Sequence, residues 1–114
     1  MTTISGHIHF PEGTPAFSGA TVHVVLEDTS MMDAPAPVLT EYNLTKVTYQ
    51  SGTTIGFTFN SITLNEQVRY NIRVHVSLNG NNTIQQGDYI TMQSYPVLTQ
   101  ELPTTINVEV RHVG

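Results

Sequence analysis

The chain has no cysteine and no tryptophan, and it is poor in charge of either sign. Without cysteine there can be no disulfide, thiol nucleophile or thiolate-ligated metal. Charged residues make up 11% of the 114 positions, against about a quarter in typical domains. Only Lys46, Arg69, Arg73 and Arg111 are strong cations, and the net charge is −5. A nucleic-acid binder needs a basic stripe to displace counterions, so that class is excluded. A basic amphipathic membrane surface is excluded on the same ground. No run of about 20 apolar residues exists to span a bilayer as a helix. Nor does any stretch of ten or more residues carry the apolar spacing of a helix.

What is present is a period of two. From Val68 the even positions read Val68, Tyr70, Ile72, Val74, Val76, Leu78. The positions between them are Arg69, Asn71, Arg73, His75 and Ser77. Successive side chains on a strand point to opposite faces, so this is a long strand with one buried side. Ile4, Gly6, Ile8 and Phe10 form one face of a first strand, and Val22, Val24 and Leu26 one face of a second. Val38, Thr40, Tyr42 and Leu44 alternate in a third; Ile55, Phe57 and Phe59 in a fourth; Ile106, Val108 and Val110 in the last. Residues 83–99 have room for one or two shorter strands.

The breaks carry turn chemistry: Pro11-Glu12-Gly13-Thr14-Pro15, Ser51-Gly52, Asn79-Gly80-Asn81-Asn82 and Gln86-Gly87-Asp88. Leu102-Pro103 stops ladder pairing just before the last strand. One-faced strands at short intervals predict a single all-β domain over residues 1–114, an antiparallel β-sandwich of seven to eight strands.

Few residues in this pattern suggest chemistry. His7 and His9 share one face of the first strand, and adjacent imidazoles could chelate zinc or copper. They lie opposite Ile8 and Phe10, so they occupy the outward face, where polar residues need no ligand. No metal and no cofactor is expected, and a metal- or carbohydrate-binding surface built on histidines is the alternative reading. Glu27, Asp28 and Asp33 match no calcium-loop spacing and suit turn hydrogen bonds, as Asp28, Thr29 and Ser30 could make. There is no G-x-S-x-G elbow and no phosphate loop, so no enzyme is indicated. Tyr95 with Pro96 is a candidate groove wall or a core residue whose hydroxyl bonds a loop.

The segment Gly19 to Ala36 resembles the YbaY/YscW-type bacterial envelope lipoproteins, which include the lipoprotein chaperones (pilotins) of type III secretion. The resemblance is carried by an alternating strand followed by Asp28, Ser30 and Asp33-Ala34-Pro35. Ile55-Gly56-Phe57-Thr58-Phe59, Tyr70-Asn71-Ile72-Arg73-Val74-His75-Val76 and Tyr95-Pro96-Val97-Leu98-Thr99 follow in the family's order, extending the likeness over about residues 18–112. It implies an immunoglobulin-like or transthyretin-like sandwich. It also implies a non-enzymatic binding or assembly role, with a protein partner such as a secretin or another envelope protein. Under it, Asp28, Ser30 and Tyr95 are structural motif residues. The family's lipoproteins carry their lipid on an N-terminal cysteine, and this chain has none. The expected location is the bacterial envelope or periplasm if a leader is removed, and the cytoplasm otherwise.

The expected contact with a partner is the loop holding Met31, Met32, Asp33, Ala34 and Pro35, beside an open strand edge. Methionine suits adaptable surfaces, and an extended segment can add to such an edge.

Overall fold

A computed structural model describes residues 2–29, 38–62, 68–80, 83–93, 95–97 and 104–114. Eight strands run in chain order: β1 (Thr2–His9), β2 (Phe17–Asp28), β3 (Val38–Tyr49), β4 (Ile55–Ile62), β5 (Tyr70–Ser77), β6 (Tyr89–Thr91), β7 (Pro96–Val97) and β8 (Thr104–His112). The described residues form no helix. Each strand expected from periodicity is present, and the two short strands between residues 83 and 99 are β6 and β7.

The strands form one hydrogen-bonded path, β3-β2-β5-β6-β8-β1-β4, with β7 pairing β5 off that path. Every described pair is antiparallel except β1 and β8, which run parallel from Ile4↔Thr104 to His9↔Glu109. The two-sheet antiparallel sandwich expected from the sequence is therefore replaced by a mixed sheet curled into a nearly closed barrel. Alternation says which face a residue takes, but parallel and antiparallel neighbours impose the same alternation. β8 makes the turn between the two halves. Its first part pairs β1, and Val110 to His112 pair β6.

The core is the inward face of these strands. Ile4, Ile8, Val22, Val24, Leu26, Ile72, Val76 and Val108 are fully buried. One end of the barrel is filled by rings: Phe10 lies 5.6 Å from Phe17, 4.4 Å from Tyr49 and 5.3 Å from Tyr89, centroid to centroid. Aromatic contacts of this kind add to the stabilisation from buried area. Phe10 follows the end of β1, yet it still packs against the core.

Gly6 is required by packing. A Cβ there would strike the Ile106 carbonyl oxygen of β8 and lie 2.5 Å from the Phe57 ring of β4. The bare glycine leaves room for the β8 backbone and for the Phe57 ring of β4. The left-handed turn positions fall on Gly13, Gly52, Gly80 and Gly87, within the sequence's four turn signals. The Asn79-Gly80 signal does not produce a tight hairpin, because the connection between β5 and β6 runs over residues 78–88.

Pairing of β2 with β3 is interrupted three times. Register shifts fall between Phe17 and Ala20, between Ala20 and Val22, and between Leu26 and Glu27. Gly19 at the first and Lys46 at the second have φ of +73° and +54°. Extra residues in left-handed conformation are the mark of β-bulges.

Candidate functional site

The outward face of the barrel carries two polar clusters, built by cross-strand register. The first lies on β2, β3 and β5. His23 and His75 are paired residues of neighbouring strands, and their rings stack at 6.0 Å. His23 donates from Nδ1 to Asn43 Oδ1 at 2.6 Å, and the Asn43 amide donates to Glu41 at 3.4 Å. His75 donates from Nε2 to Asp88 Oδ2 at 2.9 Å.

Asp88 organises the loop before β6. It accepts from the backbone N–H of Leu78 at 3.1 Å and of Gln85 at 3.0 Å, and only 1% of it is exposed. Burial alone would raise its pKa. The His75 hydrogen bond and the two backbone N–H groups outweigh burial and hold the carboxyl below its ordinary 3.8. The Gln86-Gly87-Asp88 turn signal thus marks a loop closure, with Gly87 supplying a positive φ. His23 Nε2 and Ser77 Oγ are buried without a hydrogen-bond partner.

The second cluster bridges β5 and β8, where β6 has ended. Tyr95 N–H donates to Asn71 Oδ1 at 2.7 Å, and Tyr95 C=O accepts from Ile72 N–H at 3.0 Å. At its other end the Tyr95 hydroxyl accepts from Glu109 N–H at 2.9 Å and donates to Glu109 C=O at 3.2 Å. Asn71 also donates to Glu27 at 3.0 Å, and Arg73 lies 3.5 Å from the same carboxylate. Since Arg73 is largely exposed, that ion pair adds little. A shallow groove beside Tyr95 is lined by His9, Gln93, Asn107 and Glu109.

The sequence-predicted residues are distributed as follows. His7 and His9 face outward, and His9 donates from Nε2 to Asn107 Oδ1 at 3.2 Å. They stand on β1, three strands along the path from β5, so they do not meet His23 and His75. Among the described residues no group of three or more His, Cys, Asp or Glu side chains could hold a metal ion. Glu27 is a buried strand residue and makes no turn bond. Asp28 pairs with Tyr70 in the β2–β5 ladder, and Thr29 N–H donates across to Arg69 C=O at 2.8 Å. Ser30, Met31, Met32, Asp33, Ala34 and Pro35 lie outside the described residues. Sequence reasoning missed Asp88, Asn43 and Asn71; the one usable signal was polar residues recurring opposite one another on adjacent outward faces.

No described helix is long and apolar enough to cross a membrane. Polar side chains on these outward faces tie strands to loops, and the described residues assemble no metal cage. The class these features define is an all-β barrel-like domain with open strand edges and polar outward faces. The profile of the type III secretion system lipoprotein chaperone family (YscW) matches residues 1–110, and the chain belongs to that family. It is a chaperone-type binding and assembly module. A search of curated protein sequences finds no match. Among solved structures, the chain is similar to an alternative pilotin from the type II secretion system of Vibrio cholerae. That likeness has a TM-score of 0.70 at 22% identity and covers 97% of each chain, and it extends to the fold.

Proposed function

We propose that this chain is a pilotin-like chaperone of the bacterial envelope, which captures an extended segment of a secretin-type protein and catalyses no reaction. The observation that carries this reading is the family match over residues 1–110. The likeness to a pilotin fold supports it independently.

Partner contact is assigned to Met31, Met32, Asp33, Ala34 and Pro35, with Val38 and Leu39 beside them in sequence. Val38 and Leu39 open β3, and both are nearly half exposed, at 44% and 46%. These exposed aliphatic side chains favour an apolar contact at the start of β3, and methionine in the preceding sequence suits an adaptable one.

The test is a titration of the purified protein against the purified secretin subunit of its own host. Saturable binding supports the reading, and no binding up to the solubility limit overturns it. Fractionation of host cells tests location: recovery with the envelope is expected, and recovery with the cytosol rejects the envelope assignment.

A further inference from the structure

The strand path is open at β3 and β4, and backbone parity shows which groups that opening presents. Val74 N–H donates to the Thr91 hydroxyl of β6 at 3.3 Å, so Val74 turns its backbone groups away from β2. Backbone groups alternate sides along a strand, so Arg73 and His75 point theirs at β2. Their partners Val25 and His23 then point at β5, leaving Val22, Val24 and Leu26 to bond β3. The β3 residues facing those three are Leu44, Tyr42 and Thr40. The N–H and C=O of Glu41 and Asn43 consequently point out of the sheet, and no described strand pairs them.

This edge is limited at both ends. The register of β3 against β2 is regular only over residues 40–44, between the irregularity at Leu39 and the bulge at Lys46. Bulges re-aim an edge and block long pairing, so the regular stretch admits a short segment and discourages open-ended stacking. On the inward side of that stretch Tyr42 and Leu44 are half-buried, whereas their β2 neighbours Val22, Val24 and Leu26 are fully buried. Tyr42 reaches across to Phe59 of β4, ring to ring at 6.4 Å, but β3 and β4 are not hydrogen-bonded. On the outward side the exposed Glu41 carboxylate stands at the edge of a chain with net charge −5.

We infer that residues 40–44 of β3 form a strand-addition site that takes a short extended protein segment, apolar at alternate positions and carrying Lys or Arg opposite Glu41. Such a segment satisfies the open backbone groups of Glu41 and Asn43, covers Tyr42 and Leu44, and neutralises Glu41. The site deepens the proposed function and rests on it.

The probe is an array of overlapping peptides tiling the host secretin, followed by hydrogen exchange of the parent protein with the best binder. Protection of the Glu41 and Asn43 amides is expected. Glu41→Pro removes one outward N–H and leaves the bonds to β2 in place, since edge positions accept proline. It should keep the fold and weaken peptide binding by about tenfold, the equivalent of one or two backbone hydrogen bonds. Glu41→Lys, which retains the N–H, should reverse a preference for basic over acidic peptides. Peptide binding that leaves those amides unprotected, or that Glu41→Pro does not change, overturns the site while the capture function stands. Absence of binding by every peptide overturns both. Protection that grows with protein concentration alone makes a second copy the occupant and overturns the assignment to a partner.

Discussion

Tyr95 and Glu109 are joined twice through one oxygen: the tyrosine hydroxyl accepts the glutamate's N–H at 2.9 Å and donates to its C=O at 3.2 Å. A single side chain thus satisfies at β8 the two backbone groups that a neighbouring strand would otherwise take. Its own backbone is bound to β5 through Ile72 and Asn71. Tyr95→Phe keeps the ring and removes both bonds, along with the one the hydroxyl accepts from Gln93 Nε2 at 2.8 Å. Stability should fall by about 1–3 kcal/mol, the worth of the two bonds to the β8 backbone, with the bond from exposed Gln93 adding little. Urea unfolding measures this, and faster exchange of the Glu109 amide should accompany it.

The Asp88 carboxylate should give the protein a stability that fails in acid. Its folded pKa lies below the ordinary 3.8. A depressed carboxylate contributes stability that is complete above the unfolded pKa and lost as pH falls through the folded one. Thermal melts of the parent between neutral pH and about pH 2 should therefore show a loss concentrated below pH 3.8. Asp88→Asn should lower stability at neutral pH by about 1–3 kcal/mol, since His75, Leu78 and Gln85 all donate to that carboxylate. The variant should also flatten the acid slope.

Gly6→Ala should be among the most damaging small substitutions in the chain. The added methyl collides with a backbone carbonyl of β8, which cannot turn aside as a flexible side chain could. A cost of about 1–3 kcal/mol or more is expected from overpacking. Gly56→Ala is the control, because its Cβ would find only ordinary contacts at 3.9 Å. Paired chemical denaturation of the two variants separates packing from any general cost of placing alanine in a strand.

Replacing Met31 and Met32 together by serine should weaken capture of the secretin and leave the melting temperature unchanged. Calorimetric titration against the parent reads the first, and a thermal melt reads the second. Unchanged affinity removes these residues from the contact and leaves the edge of β3 as the place to look.

Much of the fold was legible before any coordinates. Alternation over Val68 to Leu78 located β5, and Val22, Val24 and Leu26 located the buried face of β2, because the faces of a strand are set by backbone geometry alone. Turn glycines at Gly52, Gly80 and Gly87 were legible for a similar reason: a positive φ is a local demand. The family resemblance was legible too, because its motifs are short and ordered along the chain. The sandwich expectation went astray at β1 and β8, whose parallel pairing is invisible in a pattern that records faces and not neighbours.

The sequence by itself determined that the chain is all-β, which faces are apolar, where the turns fall, and that thiol chemistry and a basic nucleic-acid surface are excluded. Tertiary structure alone decided that His23 meets His75 while His9 meets Asn107, that Asp88 closes a loop, and that Glu41 and Asn43 stand on an open edge. The division has a physical reason. Periodicity and φ preference act within a few residues. Strand order and register arise from burial shared between segments as distant as β1 and β8, and no local pattern encodes that choice.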